Sequence, residues 1–327
     1  MEKDIIIVGA GPIGIACGIE AKTRGLSELI IEKGCLTNSI YHFPTNLVFF
    51  STPDLLELAG VPFITSGPKP TRVEILTYYK RLTQSFALDV HLFERVEKIE
   101  KQDGRFLVYT DKTETPYRAR FVVLAIGFYD HPNMLNVPGE DLPKVTHYYK
   151  EAHLYYNQKV AVIGGQNSAV EAALEVYRAG AAEVTLIHRD PTLGRSVKYW
   201  IRPDIENRIK EGSIKAYFNA RVVEIREDAI VVEQKDRGRF ELENDFVLAM
   251  TGYHPDYRFL QNVGVQLDPE TQKPIYNPRT METTLENVYI AGVACGGKHD
   301  INKIFIENGR EHARLILEDI QSKLASK

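Results

Sequence analysis

Short apolar runs rich in β-branched residues recur along the 327-residue chain, and each leads into a glycine. They cover residues 5–8 before Gly9, 121–126 before Gly127, 159–163 before Gly164, 246–250 before Thr251 and Gly252, and 288–291 before Gly292. Runs this short, with little polar alternation, predict buried strands. The first is followed by a helical pattern and then by a second run, Leu29-Ile30-Ile31. From Lys159 the same order returns: strand, glycine turn, amphipathic helix with Gly180 as its C-cap, and a second strand over 183–187. A repeat of one strand–turn–helix–strand module is therefore the strongest organisational signal in the chain.

The intervening segments are less regular. Residues 38–63 are aromatic and broken by Pro44, Pro53 and Pro62, which predicts loops with a short helix near 54–59. Residues 71–86 predict a helix whose apolar positions are Val73, Leu76, Tyr78 and Leu82. Segments near 90–93, 95–101 and 104–110 predict a small antiparallel meander leading into the strand at 121–127. Further on, a helix over 201–211 and strands near 222–225 and 230–233 are expected. A C-terminal helix over 304–324 would bury Ala313, Ile316, Ile320 and Leu324.

The two glycine turns carry the candidate chemistry. In the first, Gly9, Gly11 and Gly14 are spaced as G-x-G-x-x-G around Pro12 and Ile13. Gly9 permits the turn, Gly11 lets a pyrophosphate approach the backbone, and Gly14 lets the helix pack on the strand. The helix N-terminus supplies N–H donors and the positive end of its dipole. Glu32, 23 positions after Gly9 and followed by Lys33, offers a carboxylate to a ribose hydroxyl. The second module runs Gly164, Gly165, Gln166, Asn167, Ser168, Ala169, so glutamine stands at the middle-glycine position. Its second strand ends in His188 and Arg189 where the first module has a carboxylate, and Arg195 follows in the next loop. Arginine pairs with a 2′-phosphate that a carboxylate would repel, so this module is read as binding NADPH rather than NADH. The plainer alternative is a solvated basic turn. Gly127, Gly252, Gly292 and Val293, at the ends of the other buried runs, complete the candidate cofactor contacts.

Two dinucleotide modules in one chain imply FAD on the first and a nicotinamide cofactor on the second. The expected class is α/β, with two Rossmann-like dinucleotide-binding domains and the NADPH domain inserted in the FAD domain. The expected parts are 1–130 and 253–327 for FAD, and 131–252 for NADPH.

Composition narrows the class further. A formal net charge of −4 gives no basic surface for nucleic acid or an anionic membrane. The N-terminus has no signal-peptide layout and no apolar run approaches a membrane span, so a soluble cytoplasmic protein is expected. Cys17, Cys35 and Cys295 form neither a Cys-x-x-Cys pair nor a metal-ligand cluster, and no metal is expected.

These motifs, in this order, resemble the low-molecular-weight thioredoxin reductases over nearly the whole chain. The resemblance is closer to the YpdA-type bacillithiol-disulfide reductases. It is carried by Ser39-Ile40-Tyr41, Pro44-Thr45, Phe49-Phe50-Ser51, Val61-Pro62-Phe63, Leu142-Pro143-Lys144-Val145 and Lys150-Glu151-Ala152-His153. It continues through the stretches 252–257, 290–293 and 304–309. Three departures are informative. Where thioredoxin reductases carry their redox Cys-x-x-Cys, this chain has His147-Tyr148-Tyr149-Lys150, so no dithiol shuttle operates there. Val293 stands where those reductases place an aspartate; the YpdA type shares both features. Ile13 stands where the YpdA type commonly has its suspected exchange cysteine, which leaves Cys17, one helical turn on, and Cys295 as substitute catalytic candidates.

The resemblance implies an NADPH-dependent flavin oxidoreductase. Hydride passes from NADPH to FAD after rotation about the 127–131 and 252–256 crossovers, and electrons then pass to a low-molecular-weight disulfide or another acceptor. It also implies a homodimer, with a thioredoxin-like protein as a possible partner. Two alternatives stay open from the sequence: an NADPH-dependent flavin monooxygenase, suggested by His147 followed by the GGQNSA turn, and a non-catalytic flavin redox sensor.

Overall fold

The opening strand, Glu2–Val8, lies inside the first sheet because residues 5–8 are apolar on both faces and buried. The computed structural model describes residues 2–300 and 303–326. The opening strand pairs in parallel with Glu28–Ile31 on one side and Tyr117–Leu124 on the other. Val288–Ile290 also joins Tyr117–Leu124 in parallel. Val96–Gln102, Arg105–Thr110 and the start of Tyr117–Leu124 form the expected antiparallel ladder. Val90–His91 does not belong to it. This strand pairs in parallel with Glu28–Ile31, where Glu32 N–H donates to the His91 carbonyl and so satisfies an otherwise open sheet edge.

Helix Pro12–Thr23 is buried almost all round, since it packs on the sheet and against the C-terminal helix Glu311–Ala325. The helix Arg72–Ser85 starts from a capping box between Thr71 and Glu74. Its buried stripe is Ile75, Tyr78, Tyr79 and Leu82, whereas Val73, expected inside, is 61% exposed. The tyrosines set this face: Tyr78 and Tyr79 donate their hydroxyls to the carbonyls of Val61 and Leu56. The single C-terminal helix expected from the pattern is broken into Ile306–Gly309 and Glu311–Ala325. Ala313, Ile316 and Ile320 are buried as expected, and Leu324 is half-buried.

These elements form one compact unit from Met1–Tyr41, Leu47–His131 and Tyr253–Lys327; a second comprises His42–Asn46 and Pro132–Gly252. The second unit has a five-stranded parallel sheet in the order Lys215–Tyr217, Glu183–Ile187, Lys159–Ile163, Phe246–Ala249, Val145–Thr146. A three-stranded antiparallel sheet accompanies it, formed by Ala220–Ile225, Ala229–Gln234 and Gly238–Glu243. The last of these was not legible in the sequence: Arg239, Glu241 and Glu243 leave only Phe240 and Leu242 to mark it. His42–Asn46 belongs to this unit, where Thr45 N–H donates to the Lys150 carbonyl at 2.8 Å. In each unit the strand before the glycine turn has neighbours on both sides reached by opposite windings. The turn thus sits at a topological switch point, the place where Rossmann-like sheets bind ligands. The fold is mixed α/β with two Rossmann-like sheets.

Candidate cofactor-binding sites

In the first unit Gly9 has φ +107°, and a Cβ there would come within 2.4 Å of the Ala125 carbonyl oxygen. A Cβ on Gly14 would meet the Gly9 oxygen at 1.8 Å. Both glycines are required by the protein's own packing. Gly11 is different: its φ is an ordinary −73°, and a Cβ would touch nothing within 4 Å. No described residue asks for glycine there, and the position opens beside the N-terminus of Pro12–Thr23, a helix with no side-chain cap. That geometry fits a pyrophosphate drawn up to the backbone. Pro12 starts the helix, where its missing N–H costs nothing.

Glu32 is buried, and its carboxylate accepts from Ala10 N–H at 2.8 Å and Gly34 N–H at 2.9 Å. Burial raises its pKa, opposed by those two bonds. The carboxylate therefore braces the glycine turn. Lys33 turns to Asp130, 2.8 Å away. Gly127, with φ +68°, has Ser39 Oγ as the nearest atom to a built Cβ, at 3.9 Å. The chain after Val90–His91 brackets this end of the site: Phe93 N–H donates to the Gly34 carbonyl and Glu94 N–H to that of Glu32. Glu94, overlooked in the sequence, is buried and accepts from Thr110 and Tyr117 hydroxyls at 2.7 and 3.0 Å. A lone carboxylate between Phe93 and Val96 was its only signal.

Ile13, at the start of the same helix, packs on two glycines. Built Cβ atoms would meet it at 3.0 Å from Gly292 and 3.2 Å from Gly309. Gly292 N–H donates to His312 Nδ1 at 3.0 Å, so His312 is neutral with its proton on Nε2, and burial lowers its pKa. His312 was not anticipated; it is brought in by the C-terminal helix. Val293 follows in the short turn Gly292–Cys295 and is half-buried. Cys17 and Cys295 have no exposed surface. Burial, then Glu20, pushes the Cys17 thiol up to about 12, and burial raises Cys295 as well. Neither is poised as a thiolate nucleophile. Cys35 is half-buried, with Sγ 3.6 Å from Asn38 Oδ1.

In the second unit Gly164 has φ +137°, and a Cβ there would strike the Met250 carbonyl oxygen at 2.5 Å and Ala169 Cβ at 3.0 Å. Gly165 lies under the His188 ring, 2.4 Å from a built Cβ. His188 is buried with Nε2 3.3 Å from Asp190 Oδ2, and burial lowers its pKa. It shapes the turn as a neutral ring and does not supply a cation. Arg189 and Arg195 are exposed, and neither has a hydrogen-bond or ion-pair partner among the described residues. Gln166 precedes helix Asn167–Arg178 without capping it. Asn167 and Gln166 both bond the loop 194–198, and Ser168 is exposed. Gly252 is a crossover residue whose carbonyl accepts from Asn133 N–H at 2.9 Å. His147, in the stretch equivalent to the missing dithiol, is half-buried with Nε2 3.2 Å from Glu140 Oε1.

The family model for pyridine nucleotide-disulphide oxidoreductases matches residues 6–292. The chain belongs to this family. It is 44% identical over 324 residues to the Bacilliredoxin reductase Bdr of Bacillus subtilis (strain 168), covering 99% of each chain. Its structure is similar to that of the Bacillithiol Disulfide Reductase Bdr (YpdA) from Bacillus cereus, with a TM-score of 0.95, 44% identity, and 99% and 100% of the two chains covered. The enzyme of the same description from Staphylococcus aureus gives 0.94 at 44% identity over 100% and 99%. This family member is a flavoprotein oxidoreductase, and its two glycine turns match the two dinucleotides such chemistry needs. No helix among the described residues is long and apolar enough to cross a membrane.

Proposed function

We propose that this oxidoreductase carries electrons from NADPH through FAD to a low-molecular-weight disulfide of the bacillithiol type. FAD is assigned to the first unit, which apart from residues 42–46 follows the expected parts 1–130 and 253–327, and NADPH to the second, which follows 131–252. The observation that carries the reading is the contrast between strand ends: Glu32 as an acceptor in one unit, exposed unpaired Arg189 and Arg195 in the other. Relatives named as bacillithiol disulfide and bacilliredoxin reductases, 44% identical over their full length, support the acceptor.

When bound, FAD supplies the two-electron relay between nicotinamide and disulfide. The chain's own groups do the rest. Gly11 and the helix N-terminus seat its pyrophosphate, Glu32 accepts from a ribose hydroxyl, and Arg189 and Arg195 pair with the NADPH 2′-phosphate. The overall balance is NADPH, one proton and one disulfide giving NADP⁺ and two thiols. Cys17 and Cys295 are too buried to exchange with that disulfide, so the proposed route uses neither. A cytoplasmic homodimer, with a bacilliredoxin or thioredoxin-like protein as an additional acceptor, completes the proposal.

Anaerobic stopped-flow tests it. NADPH bleaches the flavin absorbance, and oxidised bacillithiol restores it faster than oxidised glutathione or buffer. Absence of reoxidation by any disulfide overturns the acceptor assignment.

A further inference from the structure

We propose that Gln166 and Ser196 form a latch that positions Arg195, and thereby sets the preference of the second site for the 2′-phosphorylated dinucleotide. The proposal rests on the reading of that site as an NADPH site. A glycine at position 166 would allow the closest approach of a pyrophosphate to the backbone. Glutamine gives that up, and its side chain does not cap the following helix in exchange. Its amide oxygen instead accepts from Ser196 Oγ at 2.6 Å.

The neighbouring contacts serve the same end. Asn167 Nδ2 donates to the Ser196 carbonyl at 3.0 Å, while Asn167 Oδ1 accepts from Lys198 N–H at 2.8 Å. Gly194 N–H donates to the Gly165 carbonyl at 2.8 Å, and the Gly194 carbonyl accepts from the Arg202 guanidinium. A Cβ on Gly194 would stand 2.1 Å from Gln166 Oε1, so the glycine makes room for this amide. Lys198 closes the loop, buried and paired with Glu171 on the helix that Gln166 precedes.

The loop 194–198 is thus fastened to the glycine turn on both sides of Arg195. Arg195 itself is exposed, with no hydrogen-bond or ion-pair partner among the described residues. A cation on a loop already tied to the helix N-terminus loses less freedom on meeting a phosphate than one on a loose loop. Gln166 acts as a positioning residue for the specificity contact, through Ser196, and not as a ligand of the pyrophosphate.

The test is steady-state kinetics of the FAD-loaded enzyme with NADPH and NADH, using dithiobisnitrobenzoate as acceptor. Gln166→Met keeps the length and removes the acceptor oxygen; Ser196→Ala removes the donor. Each is expected to lower the NADPH-to-NADH ratio of kcat/KM about five- to tenfold, through KM for NADPH and not kcat, as for loss of one hydrogen bond. Ser196→Thr, which keeps the hydroxyl, retains the ratio. In an Arg195→Ala background Gln166→Met causes no further change, because its effect runs through Arg195. If Gln166→Met fails to fold, Ser196→Ala and its Arg195→Ala double variant carry the same comparison. Equal rises in KM for both nucleotides, or effects that add to those of Arg195→Ala, overturn the latch. A wild-type enzyme with no preference for NADPH overturns the cofactor reading beneath it, and is seen before any variant is made.

Discussion

The Cδ1 of Ile13 lies 3.2 Å from where a Cβ on Gly309 would stand, so the first turn of helix Pro12–Thr23 and the short helix Ile306–Gly309 are fitted closely to each other, the Ile13 methyl being the nearest atom. Gly309→Ala should overpack this contact and lower stability by about 1–3 kcal/mol. Ile13→Val, which removes that methyl, should recover part of the loss in the double variant. Denaturant unfolding of the four proteins checks it, and strict additivity would mean that the two residues do not share the contact.

Thiol accessibility separates a cysteine route from a direct one. With both buried and raised, Cys17 and Cys295 should resist iodoacetamide in the native protein at pH 8 and react only on unfolding, with Cys35 reacting first. The Cys17→Ala/Cys295→Ala double variant should keep disulfide-dependent reoxidation within about twofold of wild type, since neither thiol is poised to exchange. A loss beyond about tenfold would return the chemistry to those thiols.

The exposed guanidinium of Arg189 gives a discrimination test. Arg189→Ala should raise KM for NADPH about ten- to a hundredfold, as expected for one charge-assisted contact, and leave NADH little changed. Similar rises for both nucleotides would remove the 2′-phosphate assignment.

Glu32 braces the turn and is proposed to hold the FAD ribose, and one substitution separates the two. Glu32→Ala leaves the Ala10 and Gly34 N–H groups without their acceptor, at a cost of about 1–3 kcal/mol in the apoprotein. The same change should weaken FAD binding, measured by flavin dissociation. Undiminished FAD affinity with lowered stability would assign Glu32 to bracing the turn alone.

His312 predicts an acid-side loss. Burial holds its pKa below the ordinary histidine value of about 6.5, so the unfolded chain binds a proton before the folded one does. Its contribution is intact above the unfolded pKa and is lost as pH falls from there toward the folded pKa. Protonation also removes the Nδ1 acceptor of Gly292 N–H. Glu311, beside it on the helix, opposes the shift, and Cys295 Sγ lies 3.9 Å from the same nitrogen. The fall in Tm from pH 7.5 to 5.5 should therefore shrink in His312→Gln; an unchanged slope would place the acid sensitivity elsewhere.

Much of the fold could be read locally. The strand–turn–helix starts at Gly9 and Gly164 are short-range constructions in which apolar runs, glycine spacing and helix patterning agree. The aromatic helix was harder: Val73 and Leu76 fit an apolar stripe, but hydrogen bonds from Tyr78 and Tyr79 to residues 61 and 56 selected another face. The strand Gly238–Glu243 was hidden because its charged side chains face solvent at the edge of a small sheet.

By itself the sequence determined the two modules, the contrast of Glu32 with Arg189, and the absence of a redox dithiol. Each is a matter of residue type at close spacing, which the backbone geometry of a turn reads directly. Tertiary structure alone decided what distant residues do to one another. It carried His312 to the Gly292 turn, fitted Ile13 to Gly309, closed Cys17 and Cys295 away from water, and tied Gln166 to Ser196, 30 positions later. Such contacts depend on which faces the packed sheets and helices present, and no local pattern encodes that.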